Sequence, residues 1–102
     1  MKGPDKSEMI PVSISPEAAD EVRNMLARKN VPEGYCLRIA VQGGGCGVTP
    51  TLGFDRPAPD DTSYAVSGVN VVISKKHLMF LAGRRVEFYN GEDRRGFYFT
   101  QP

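Results

Sequence analysis

From Tyr35 to Val41 apolar side chains alternate with Cys36, Arg38 and Ala40, and the run passes directly into Gly43-Gly44-Gly45-Cys46-Gly47. Successive side chains of an extended chain point to opposite faces, so this alternation predicts a long, central strand with one buried face. Burying that face requires partner strands and a covering layer. The glycines require the strand to end in a loop where the backbone, not side chains, forms the surface.

The remaining pattern supplies those partners. Ile10, Val12 and Ile14 alternate around Pro11 and Ser13, predicting a short strand, and Pro11 lacks an amide donor and so belongs at a sheet edge. Ser15-Pro16-Glu17 is a helix start: a capping hydroxyl, a proline at the first helical position and an acid at the positive end of the dipole. Ala18, Val22, Met25 and Leu26 then form one apolar stripe, with Lys29 next at the same spacing, and Pro32-Glu33-Gly34 closes the element. After the glycine loop, residues 49–56 read as a returning strand interrupted by Pro50, and Pro57, Pro59, Asp60 and Asp61 as a turn. Residues 63–66 and 69–73 read as a hairpin around Ser67-Gly68. Ser74 is placed to cap a short helix over 75–82 that Gly83 closes, and residues 85–89 and 96–100 read as two further strands. One amphipathic helix, one short helix and many strands predict an α+β domain whose mixed sheet is curled or sandwiched.

A chain of 102 residues has room for a single core, placed here over residues 10–102 behind a polar, flexible tail at 1–9. A formal net charge of +1 gives no general attraction to nucleic acid or to an anionic membrane, and neither is expected as a partner. No apolar run approaches the roughly 20 residues of a membrane helix. The opening Met1-Lys2-Gly3-Pro4-Asp5 has no apolar segment behind it of the kind export requires. A cytoplasmic location with two reduced thiols follows as the expectation.

The densest chemical signal is the glycine run around Cys46. Amides brought close together by such a loop stabilise an anion, a thiolate included, and a thiolate in an unhindered loop suits soft metals or iron–sulfur clusters. A tight strand-to-strand turn with an incidental cysteine is the plain alternative. A phosphate loop is disfavoured, because Val48-Thr49 stand where Lys-Ser/Thr would be needed, and a dinucleotide fingerprint fails because no helical pattern follows.

Residues 37–39 leading into Gly43-Gly44-Gly45-Cys46-Gly47, then Leu52-Gly53-Phe54-Asp55, resemble the core of the A-type iron–sulfur carriers, the HesB-like or IscA-like proteins. The resemblance extends to the first helix, Val71-Val72-Ile73-Ser74, Leu81-Ala82-Gly83 and Gly96-Phe97-Tyr98-Phe99, in the same order. It implies a HesB-like β-rich fold, iron or an iron–sulfur cluster as the bound species, and assembly or client proteins, or a second copy, as partners. It also implies Cys46 as a metal ligand, with Gly43, Gly44, Gly45 and Gly47 shaping its loop. The family's further two cysteines lie in a C-terminal Cys-Gly-Cys. Here the sequence reads Phe99-Thr100-Gln101-Pro102, and Gln101-Pro102 is expected to be a natural end.

Cys36 and His77 are the remaining candidate ligands. Cys36 lies on the face opposite Leu37 and Ile39, on the order of 20 Å from the loop along the strand, and is expected to be a small packed side chain. His77, the one histidine, is expected on the solvated side of the short helix. Tyr89, Phe97, Tyr98 and Phe99 are expected as strand core and edge residues. The resulting reading is a binding protein, not an enzyme. An interaction or regulatory module that no longer holds a cluster is the alternative, and a reactive Cys46 thiol is the third.

Overall fold

The computed structural model describes residues 10–28, 31–44 and 47–101. In chain order its elements are β1 (Val12–Ile14), α1 (Pro16–Arg28), β2 (Cys36–Gly44), β3 (Gly47–Asp55), β4 (Asp61–Val66) and β5 (Val69–Ser74). A 3-10 turn (Lys75–His77) then leads into α2 (Leu78–Leu81), β6 (Arg84–Asn90) and β7 (Arg95–Thr100). The proposed tail at 1–9 lies outside the described residues.

The strands form two sheets, a four-stranded one in the order β3-β2-β5-β4 and a three-stranded one in the order β1-β6-β7. Both are mixed: β2 runs parallel to β5 and β1 parallel to β6, whereas the other pairs are antiparallel. Their inner faces share one core with the helices. Leu37, Ile39, Val71 and Ile73 come from the larger sheet, Val12, Ile14 and Val86 from the smaller, Ala18, Ala19 and Val22 from α1, and Leu81 from α2. This is the sandwiched mixed sheet that the patterning predicts.

The helix start is as read. The Ala18 amide donates to Ser15 Oγ at 3.1 Å, which satisfies one of the donors that a helix leaves free at its N-terminus. Small residues then let α1 lie close on the sheets, with Ala18, Ala19 and Val22 fully covered. β1 is indeed an edge strand, and the Pro11 carbonyl just before it accepts the Gly83 amide at 2.7 Å. The β4–β5 turn has Ser67 at φ 52° and Gly68 at φ 77°. Two successive positive φ values match the right-handed twist of a two-residue hairpin.

Two local expectations are corrected. β3 is not interrupted at Pro50. It runs unbroken from Gly47 to Asp55 with Pro50 opposite Val41, which is tolerated because β3 is an outer strand with one side unpaired. The segment 75–82 is not one helix capped by Ser74. It is a 3-10 turn followed by a four-residue helix, and no side chain caps either. The Ser74 hydroxyl instead donates to Asp60 Oδ2 at 3.0 Å, because the β4 approach passes beside it.

Candidate functional site

The β2–β3 hairpin carries the candidate site at its tip. Its register runs from Cys36 opposite Asp55 at the open end to Gly43 opposite Val48 and Gly44 opposite Gly47 at the closed end. On the inner face Leu37 and Ile39 lie opposite Phe54 and Leu52, which fixes that face against the core. A one-residue slip would turn every one of these side chains outward, so the burial locks the register. The register in turn sets which residues reach the tip.

Gly43 is the residue that must be glycine. Its φ is 109°, and a Cβ built on it would stand 2.8 Å from the Gly47 carbonyl oxygen. The two strands therefore approach through bare backbone just before the turn. Gly47 differs: a Cβ there would meet nothing within 4 Å. Gly45 and Cys46 lie outside the described residues.

Cys36 is a free thiol at the other end of the same strand, partly exposed, with its Sγ 3.9 Å from the Gly34 carbonyl. It is less enclosed than the packed position expected of it. From position 36 to position 44 are eight residue steps, on the order of 27 Å at about 3.4 Å each. Within one chain it is therefore remote from the hairpin tip. His77 corrects the sequence reading in a different way. It is only partly exposed, and its Nδ1 is buried without a hydrogen-bond partner, so the ring packs under the turn into α2 instead of facing solvent. Among the described residues no three His, Cys, Asp or Glu side chains gather to hold a metal ion.

The sequence reading missed a charged network on the outer face of the larger sheet. Arg38 donates from Nη1 to Asp61 Oδ1 at 2.8 Å and from Nη2 to Asp61 Oδ2 at 2.6 Å. It also donates from Nε to Asp55 Oδ2 at 2.9 Å and from Nη2 to the Arg56 carbonyl at 3.1 Å. The Asp61 side chain is 1% exposed, and the Ala58 amide donates to it at 2.6 Å. The hydrogen bonds from Arg38 hold the Asp61 carboxyl below the usual carboxylate range, against the opposing penalty of burial. The pair Arg38–Asp61 thus ties the 56–60 connection across β2 and fixes the open end of the hairpin. Asp61 read only as a turn residue, because its partner lies 23 positions away.

Among the described residues four large apolar or aromatic side chains stand exposed: Met79 and Phe80 on α2, and Tyr89 and Tyr98 on β6 and β7. Of the core and edge positions expected, Phe97 and Phe99 pack on the core and Tyr98 lies on the edge strand β7, whereas Tyr89 is an exposed residue of the middle strand β6. Phe88 and Phe97 pair across the inner face of the smaller sheet, and alternation sends Tyr89 and Tyr98 to the outer one. Among the described residues no helix is long and apolar enough to cross a membrane.

Two mixed sheets sharing a core with one long helix, and a glycine-built hairpin leading to Cys46, define a HesB-like α+β domain. The chain belongs to the iron-sulphur cluster biosynthesis family, whose profile matches residues 10–102. It is 41% identical over 93 residues to the iron-binding protein IscA of Enterobacter sp. (strain 638), covering 89% of this chain and 85% of that protein. The crystal structure of Escherichia coli SufA, involved in biosynthesis of iron-sulfur clusters, superposes with a TM-score of 0.77 at 25% identity, over 89% of this chain and 80% of that one. The crystal structure of IscA with a 2Fe-2S cluster superposes with a TM-score of 0.68 at 26% identity, over 89% and 82%.

Proposed function

We propose that this protein is a carrier in iron–sulfur cluster assembly that takes iron or a cluster as cargo on the Cys46 thiolate, without catalysing a reaction of its own, in the cytoplasm. The observation that supports this most directly is Gly43, where the strands leading to Cys46 close through bare backbone at a positive φ. Glycine backbone of this kind lets amides come close to an anionic group, a thiolate included. In this reading Gly44, Gly45 and Gly47 join Gly43 in shaping the loop that carries Cys46. The relatives lend support: IscA is called iron-binding and has been solved with a 2Fe-2S cluster.

The donor set suits cargo better than a resident cofactor. A cluster is ordinarily held by about four thiolates. The chain has two cysteines, and Cys36 sits at the far end of the hairpin from Cys46. Within these 102 residues one thiol lies in the hairpin loop, so in this reading the other ligands of a cluster come from outside them, from a second copy, a small thiol or a client protein. A shell completed from outside is one that a client can take over by ligand exchange.

Anaerobic reconstitution with iron and sulfide tests this. The expected result is a visible charge-transfer spectrum, with bound iron, that is lost in Cys46→Ser. Flat spectra and no bound iron in the wild type would overturn the proposal and favour an interaction module that has kept the fold without the cargo.

A further inference from the structure

The α2 segment sits at the same end of the molecule as the glycine hairpin. β2 and β5 are parallel with Leu37 beside Val71 and Arg38 beside Val72, so the register carried forward sets Ser74 beside Ala40. The chain leaves the sheet there, and α2 packs against β2. From the level of Ala40 to Gly43 and Gly44 is a further three to four residues, on the order of 10–13 Å along the strand.

The surface of α2 presents an exposed apolar pair. Met79 is 78% and Phe80 43% exposed, adjacent on one turn, while Leu81 behind them is fully buried in the core. Anchoring through Leu81 holds the apolar pair out towards solvent on a fixed support. Along the chain the charge on either side of α2 is basic, although Arg85 is paired with Glu87 and Asp60 lies against Ser74. No Asp or Glu occurs between positions 62 and 86, whereas Lys75, Lys76, Arg84 and Arg85 do. Lys75 and Lys76 are both exposed and enter none of the ion pairs among the described residues. Asp60, on the approach to β4, has its carbonyl on the Lys75 amide and its carboxylate on the Ser74 hydroxyl.

We infer that α2 and its basic approach form the docking surface for an acidic protein partner, one that seats an apolar residue on Met79 and Phe80 and faces Lys75 and Lys76 with carboxylates. An exposed apolar centre with a charged rim is the arrangement of a transient interface, in which the centre supplies affinity and the rim supplies steering. The place of the patch gives it a use. A client docked on α2 lies towards the end of β2 after which Cys46 follows in the chain. That use rests on the proposed function, but the docking itself does not.

The test is direct binding of a small acidic apoprotein with an empty four-cysteine cluster site, a plant-type apoferredoxin, to the full chain by titration calorimetry. It is run at low and high salt, and repeated with Cys46→Ser so that docking is read without any cargo. The expected result is binding that weakens with salt, about a tenfold loss of affinity in Met79→Glu, and a comparable loss at low salt in Lys75→Glu/Lys76→Glu that vanishes at high salt. Met79 and both lysines are exposed, and each variant is checked for an unchanged far-ultraviolet spectrum and melting temperature. Retained binding in Cys46→Ser leaves docking standing even where reconstitution has failed. The inference is overturned by wild-type affinity in both surface variants, by absence of binding in the wild type, or by a dimer that Met79→Glu dissociates, since a second copy would then cover the patch.

Discussion

Gly43 and Gly47 are interchangeable in the sequence, two glycines of one run, yet the structure predicts opposite responses to alanine. At Gly43 the backbone holds φ at 109°, a conformation that L side chains avoid, at a cost of roughly 1–3 kcal/mol. The added Cβ would also stand 2.8 Å from the Gly47 carbonyl oxygen, closer than ordinary contact, and that oxygen belongs to the backbone of the facing strand. Relief therefore requires the hairpin end itself to move. Alanine recovers about 0.4–1 kcal/mol by restricting the unfolded chain. The net for Gly43→Ala is a loss on the order of 2 kcal/mol, or roughly 8–16 °C in melting temperature for a domain of this size. At Gly47 no positive φ and no neighbour within 4 Å oppose the side chain, so Gly47→Ala keeps only the unfolded-state gain of about 0.4–1 kcal/mol. Thermal melts by circular dichroism and urea midpoints, with m-values compared to confirm two-state unfolding, give both numbers. Equal stability of the two variants would refute the reasoning, because it would mean the strands do not meet through bare backbone at position 43.

The Arg38–Asp61 pair predicts an acid-sensitive contribution to stability. The Asp61 carboxyl is lowered in the folded state, so its contribution is fully present above the unfolded value of about 3.9 and is lost as pH falls through the lower folded value. Arg38→Leu leaves a carboxylate that is 1% exposed without its main partner, and a loss on the order of 2–4 kcal/mol is expected at pH 7, between the exposed-pair and deeply buried limits. Asp61→Asn should flatten the fall in stability below pH 4, and urea midpoints from pH 2 to 7 that kept the wild-type slope in this variant would contradict the assignment. Cys36→Ser should leave reconstituted iron and its visible spectrum unchanged within error, since eight residue steps of paired strand separate the thiol from the hairpin tip. Loss of the spectrum in that variant would show that Cys36 reaches the cargo, through a second copy.

How much was legible in advance depended on the range of the interaction concerned. The helix start at Ser15, the Ser67-Gly68 turn and the alternation of residues 35–41 are local. A capping hydroxyl, a positive φ and a period of two act between residues a few positions apart, and these features appear in the structure as read. Where local chemistry competed with a distant partner, the distant partner won. Ser74 has the hydroxyl of a helix cap, but Asp60 takes it. Pro50 has the geometry of a strand breaker, but an outer strand has an unpaired side that tolerates it.

The sequence by itself determined that the chain builds a mixed-sheet α+β domain and sets Cys46 among glycines after its central strand, because periodicity and backbone freedom are written residue by residue. Only the tertiary structure decided that Gly43, unlike Gly47, must be glycine, that Asp61 answers to Arg38, and that Met79 and Phe80 face solvent at the hairpin's end of the molecule. Each of these depends on which segments meet across the sheets, and that is settled by packing of the shared core.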